Sequence, residues 1–297
     1  MTSTPTAPTA PTTPGTPPPL TSADVAAWYE ASDELCKLIS GDSFHYGLWQ
    51  QGDLDGPRPA RELATRAQDR MTDFFCDLLG LEPGHHLLDV GCGHGSPALH
   101  AARQRGIEVT GCSISHAQIT EATRRAAAAE MTKRVRFALG DAMDLPHDSD
   151  RFDAVWALDS FPHLHDPVQG LRETARVARP GAPILVTFYT QRAPATDAEL
   201  AMCRDAFAFC PLPTHAEVLD QVRAAGLTAE QVHDLTEHIA PTGIAYERIY
   251  RENRTVVAEK FGTDFAEGMD TTLTDTLTFL TDKTGYVACL LRSSPLS

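Results

Sequence analysis

From Leu81 onward the chain alternates short apolar runs with longer amphipathic stretches. The runs at 86–90, 109–112, 135–139, 154–158 and 184–188 are too short for stable helices and rich in Val, Leu, Ile and Phe, so they are predicted strands. The stretches between them read as helices. Strand and helix in alternation imply crossover units, hence an α/β protein with a parallel, doubly wound sheet. A sixth strand is predicted near 232–235 and a last one at 286–291. The spans 190–213 and 236–282 interrupt the closing strands with helical, aromatic-bearing sequence. Insertions near the carboxyl ends of parallel strands tend to cover a ligand crevice, so both spans are predicted lid insertions.

Upstream of Leu81 the pattern differs. Ser22 is placed as an N-cap before a helix over 24–38, in which Val25, Trp28, Tyr29 and Leu35 share a face. The segment Phe44-His45-Tyr46-Gly47-Leu48-Trp49 is dense in aromatic residues, and a second helix is predicted over 61–79, closed by Gly80. Residues 1–20 hold seven Pro, seven Thr and no charged side chain, so they have little to bury and are predicted to be a disordered tail. The organisation expected is a tail over 1–20, an N-terminal helical lid segment over 21–80, and a core with lid insertions over 81–297.

Composition narrows the partner. Apolar residues make up 42% and charged ones 22%, enough for a substantial core at 297 residues. The net charge of −15 is the wrong sign for holding nucleic acid or an anionic bilayer through a basic footprint. No apolar run is long enough for membrane insertion, and no signal-peptide pattern opens the chain. The prediction is a cytoplasmic protein with a small-molecule partner, monomeric or homo-oligomeric. Seven scattered cysteines with no C-x-x-C pair read as small apolar fillers.

The strongest chemical signal is Leu87-Leu88-Asp89-Val90-Gly91-Cys92-Gly93-His94-Gly95-Ser96, an apolar strand running into a glycine loop and then a helix. Glycine lets backbone approach a ligand closely, and the helix start offers unpaired N–H groups. The spacing is G-x-G-x-G, so the ordinary dinucleotide fingerprint, whose third glycine lies one residue later, is not met.

This stretch resembles the first motif of class I methyltransferases that use S-adenosylmethionine. The likeness continues in order through Val109-Thr110-Gly111-Cys112-Ser113, Gly140-Asp141-Ala142-Met143-Asp144, Phe152-Asp153-Ala154-Val155, Leu171-Arg172-Glu173 and Arg179-Pro180-Gly181. It covers about residues 22–190 well and implies a Rossmann-like methyltransferase sheet. By that resemblance Gly91, Gly93 and Gly95 pass under the methionine part of the cofactor and Asp89 acts on its ammonium group. Asp141 accepts from the adenine amino group, with Ala142 and Met143 giving backbone and an apolar wall. Many members carry an acid where Ser113 stands. The branch acting on sugars, tocopherols, sterols and other natural products often has a hydroxyl residue there with a glutamine following, and Gln118 fits. That branch also carries an aromatic motif like 44–49, which assigns Tyr46 and Trp49 to the cofactor.

Asp159-Ser160-Phe161-Pro162-His163 falls where the family sets cofactor and acceptor side by side. Asp159 joins the cofactor set, and His163, suited to proton traffic near neutral pH, is the candidate catalytic base. Relatives that methylate sugar oxygens often have two histidines here, and Pro162 replaces the first. Trp28, Tyr29, Phe161, Phe188, Tyr189, Phe207 and His238 are expected to wall the acceptor pocket, with Phe209 beside them. No second acid or Asn supports a metal site. The expected function is methyl transfer to oxygen or carbon of a partly apolar natural-product intermediate. C-methylation coupled to carbocation cyclisation, or a cyclase that keeps the cofactor as structure, are the alternatives.

Overall fold

β1 (His86–Val90) shows how burial selects a strand: Leu87 and Leu88 point to opposite faces of a sheet and both are fully buried. The computed structural model describes residues 20–41 and 43–293. The tail expected over 1–20 lies outside them except for Leu20. β1, β2 (Glu108–Ser113), β3 (Val135–Leu139), β4 (Ala154–Ala157) and β5 (Ile184–Gln191) run parallel in the order β3-β2-β1-β4-β5. α3 (Ser96–Arg105), α4 (His116–Ala128) and α5 (Pro167–Val177) make three of the crossovers. The stretch between β3 and β4 is a loop rather than a helix, turned by an Asx turn at Asp141, whose Oδ1 accepts from Met143 N–H at 2.9 Å.

The sheet is not wholly parallel. β6 (Leu227–Asp234) follows α7 (His215–Ala224) in the direction of β5, but β7 (Thr284–Ser293) slots between them antiparallel to both. α8 (Ile239–Phe261) and α9 (Thr263–Lys283) form a helical hairpin that returns the chain to the end of the sheet it left, so the next strand must run back. β6 also begins earlier than the sequence predicts. It is an edge strand with alternating exposure and an irregular register at Ala229/Gln231, which dilutes its apolar signal.

One face of the sheet packs Leu87, Val109, Trp156 and Leu185 against α3 and α2 (Ala60–Leu78); the other packs Leu88, Val155 and Val186 against α5 and α7. Within the span expected as a lid, α2 buries Met71, Phe75 and Cys76 completely and belongs to the core. α1 (Ser22–Ile39), opened by a capping box between Thr21 and Asp24, packs on α8 and α4 and bonds through Glu30 to Ser115, just past the end of β2. α6 (Asp197–Phe207) and the α8–α9 hairpin occupy the two spans expected as insertions. No helix of the described residues is long and apolar enough to cross a membrane.

Candidate active site

Gly91, Gly93 and Gly95 carry φ of +80°, +51° and +78°, the region where a Cβ is strained. Close approach adds a second constraint: a Cβ on Gly91 would stand 2.4 Å from Ser160 Cβ, and one on Gly95 2.5 Å from Phe137 Cζ. At Gly93 the neighbour is the Phe44 ring, 3.0 Å away, which also packs on His94 with centroids 4.8 Å apart. Asp89, at the end of β1, is 2% exposed and its Oδ2 has no hydrogen-bond partner. Burial pushes its pKa up to about 7, against a smaller pull from Trp156. A buried carboxylate oxygen with unused accepting capacity beside a glycine loop fits an ammonium group, so these residues suit the methionine end of S-adenosylmethionine.

At the end of β2, Ser113 Oγ donates to Gln118 Oε1 at 2.6 Å and accepts from Ser115 N–H at 3.2 Å, and both side chains are buried. A hydroxyl and an amide therefore stand together at the end of β2. In the loop after β3, Asp141 is half-buried and Ala142 buried, with Met143 beside them.

Two acids on α1, unremarked in the sequence, tie that helix to the glycine loop and to the start of α4. Glu30 Oε1 accepts from Ser115 Oγ at 2.8 Å and from Ala117 N–H at 3.0 Å, capping α4; these bonds hold its carboxyl below the usual range. His94 Nε2–H donates to Asp33 Oδ1 at 2.7 Å, and Lys37 Nζ lies 2.6 Å from Asp33 Oδ2.

A cavity of about 700 Å³ lies among α1, α6, α8 and α9. α9 gives it a stripe at helical spacing, Phe265, Met269, Leu273, Leu277 and Leu280, interleaved with Thr272 and Thr276. Trp28, Tyr29 and Leu35 come from α1, Met202 and Phe207 from α6, and Phe209 from just beyond it. Asp159 and Asp205 are the charged residues in this described lining, with no Lys or Arg among them. Tyr46 and Tyr189 also line it. Tyr46 stacks edge-on against Tyr189 and Tyr286, with centroids 5.2 Å and 4.8 Å away.

Asp159, past the end of β4, adopts φ of +56° without being glycine. Its carboxylate accepts from Thr187 Oγ1 and Tyr286 OH, each at 2.7 Å, and from Tyr189 OH at 3.2 Å. Burial outweighs these bonds and raises its pKa to about 6. His163 is held at both nitrogens: Nδ1 lies 3.2 Å from the Ala208 carbonyl and Nε2 lies 2.8 Å from Tyr29 OH. A carbonyl only accepts, so the proton sits on Nδ1 and Nε2 takes the Tyr29 hydrogen. Ala208, at the end of α6, also has positive φ (+53°), which aims that carbonyl. Burial lowers the His163 pKa to about 4, and raises that of Tyr29.

Four expected site residues fall elsewhere. Trp49 packs with Ala60, Leu63 and Ile249 between α2 and α8, its Nε1–H donating to Thr242 Oγ1 at 2.8 Å, rather than at the glycine loop. His238 is 7% exposed and accepts from Trp49 N–H at 3.3 Å, outside the large cavity. Phe188 alternates with Tyr189 along β5 and so points to the opposite face, where it meets Phe161 with centroids 5.4 Å apart; both border a separate cavity of about 240 Å³. Conversely, Tyr246, Tyr286 and the α9 stripe went unassigned in the sequence. The period of the α9 stripe was readable, but nothing in it says that the stripe faces a cavity rather than a core.

Residues 20–288 match the mycolic acid cyclopropane synthetase family. The methyltransferase GfsG of Streptomyces halstedii is 36% identical over 230 residues, which are 75% of this chain and 80% of that protein. The 27-O-demethylrifamycin SV methyltransferase of Amycolatopsis mediterranei is 34% identical over 225 residues, again 75% and 80%. The solved structure of the cyclase SpnF superposes with a TM-score of 0.78 at 27% identity, covering 94% of this chain and 98% of that one. The chain belongs to the mycolic acid cyclopropane synthetase family and is a methyltransferase that uses S-adenosylmethionine.

Proposed function

We propose that this enzyme methylates an oxygen of a bulky, largely apolar, uncharged natural-product intermediate, with an electron-rich carbon as the second acceptor atom. The observation that carries this reading is the 700 Å³ cavity, walled by aromatic and aliphatic side chains, with Asp159 and the Tyr29–His163 pair in its wall. Its size suits a large small molecule. With two aspartates and no Lys or Arg in the described lining, a pyrophosphate or other anionic acceptor would be repelled.

The cofactor supplies a methyl group on positively charged sulfur, a strongly activated electrophile. What remains for the protein is to align the acceptor and keep water out. Gly91, Gly93, Gly95 and Asp89 are the residues to hold the methionine end. Ser113 and Gln118 would take the ribose, and Asp141 the adenine. Phe44 and Tyr46 would stand over the methionine end, and the rings of Trp28, Phe207 and Phe209 would exclude water from the acceptor. His163 is neutral at pH 7 and can take a proton, which favours oxygen.

A second reading, in which the same cavity also shapes the acceptor for ring closure, is favoured by the likeness to the cyclase SpnF over 94% of this chain. Both are tested by incubating the protein with methyl-labelled S-adenosylmethionine and a neutral hydrophobic metabolite extract, followed by mass spectrometry. Methyl transfer appears as label gained together with the mass of one methylene. An isomer of unchanged mass and no label would overturn transfer in favour of cyclisation.

A further inference from the structure

We infer that Tyr29 is the residue that meets the acceptor hydroxyl, and that His163 acts through it as the proton's destination. The inference rests on the oxygen-methylation reading above. Both His163 nitrogens are already engaged, Nδ1–H with the Ala208 carbonyl at 3.2 Å and the Nε2 lone pair with Tyr29 OH at 2.8 Å. The imidazole therefore offers no free lone pair to the cavity. Tyr29 has given its one hydrogen to Nε2, so its oxygen lone pairs are left to accept from a hydroxyl in the cavity that Tyr29 lines.

The pair is fixed from several sides. Trp28 meets Tyr29 edge-on with centroids 5.1 Å apart, Phe209 meets His163 at 5.4 Å, and the strained Ala208 backbone holds the carbonyl. Buried phenol is a poor base alone, so the proton must pass on as it arrives. The acceptor O–CH3 bond forms as the S–CH3 bond breaks, with that electron pair staying on sulfur. The acceptor proton moves to Tyr29 Oη while the Tyr29 proton moves to His163 Nε2. The site thus exchanges one positive charge for another, from sulfur to imidazolium, and the Nδ1–H bond to the Ala208 carbonyl strengthens as the ring becomes charged. Return of the proton through Tyr29 to water resets the pair.

The test joins a spectroscopic and a kinetic measurement. In the free protein, nitrogen-detected NMR should show His163 neutral with its proton on Nδ1, and Tyr29→Phe should shift the Nε2 resonance. An Nε2-protonated ring, or no shift, overturns the pair. In the labelled-methyl assay on the hydrophobic extract, Tyr29→Phe and His163→Ala should each lower kcat by about 10²-fold or more, the range of a lost proton-transfer group. The double variant should be no slower than either alone, and calorimetry with S-adenosylhomocysteine should give unchanged affinity. Tyr29→Phe with wild-type kcat beside a slow His163→Ala means the imidazole meets the acceptor directly and overturns the inference. Wild-type protein that transfers no label overturns the methylation reading itself, a result distinct from any variant's.

Discussion

The half of the molecule that suits the cofactor and the half that suits the acceptor are built by different means. The first rests on local backbone geometry: glycines at positive φ, a strand-end acid, and Ser113 five residues from its partner Gln118. The second joins residues remote in sequence. Tyr29 and His163 are 134 positions apart, Asp159 and Tyr286 127. Short-range constraints specify chemistry that does not depend on the acceptor. Selectivity is left to helices beyond the strand ends, where a side chain can change without disturbing the sheet.

That division is broken most directly by one substitution in each half. Gly91→Val places a branched side chain at φ of +80° and against Ser160, a conflict worth about 2–4 kcal/mol of stability together. It should weaken S-adenosylhomocysteine binding about 100-fold or more by calorimetry. Phe207→Ala should leave that affinity within about twofold and raise the acceptor KM about tenfold, as expected for about 1.4 kcal/mol of lost apolar contact. If Phe207→Ala weakens the cofactor as much as the acceptor, the halves are not separable.

The same division explains what the sequence made legible. β1, β4 and β5 stood out because parallel strands buried on both faces read as continuous apolar runs. The glycine loop stood out because its constraint lies within a few residues. β7 was located but not its direction, since antiparallel placement follows from the α8–α9 hairpin rather than from any residue within the strand. Phe188 and Trp49 lie outside the lining of the large cavity; aromatic character says that a ring is buried, not on which side. The clasp residues Glu30 and Asp33 read as ordinary polar positions on a helix, and become informative when α4 and the glycine loop are packed against them.

A smaller effect sharpens the cofactor half. Asp89 has a folded pKa near 7 against 3.8 for the free group. Its carboxylate must be ionised to pair with an ammonium, so cofactor affinity should fall about tenfold between pH 8 and pH 6, from the change in ionised fraction alone. Stability runs the other way. A raised carboxylate pKa contributes stability that is fully present below about pH 4 and is lost as pH rises through about 7. Asp89→Asn should remove this residue's share of both trends, flattening the affinity profile in calorimetry and lessening the fall in Tm with pH. An affinity profile unchanged by Asp89→Asn would move the ammonium site elsewhere.

The smallest effect is expected where the two halves share an element. α1 carries Trp28, Tyr29 and Leu35 into the large cavity, while Glu30 and Asp33 reach back to α4 and the glycine loop. At neutral pH the burial-lowered pKa of His94 leaves its imidazole uncharged, and the bond to Asp33 is that of a neutral donor to a carboxylate. Asp33→Asn keeps the shape and removes the charge, so the loss is about 1 kcal/mol, or roughly fivefold in affinity for S-adenosylhomocysteine. Because the helix moves as a unit, the acceptor KM should rise by a similar factor, although Asp33 itself does not line the cavity. Calorimetry and steady-state kinetics on the one variant decide the point. Paired losses mean that binding at one half is coupled to order at the other through α1. A loss confined to the cofactor would make the helix a strap for that half alone, with the acceptor wall held independently by the packing of α1 on α8.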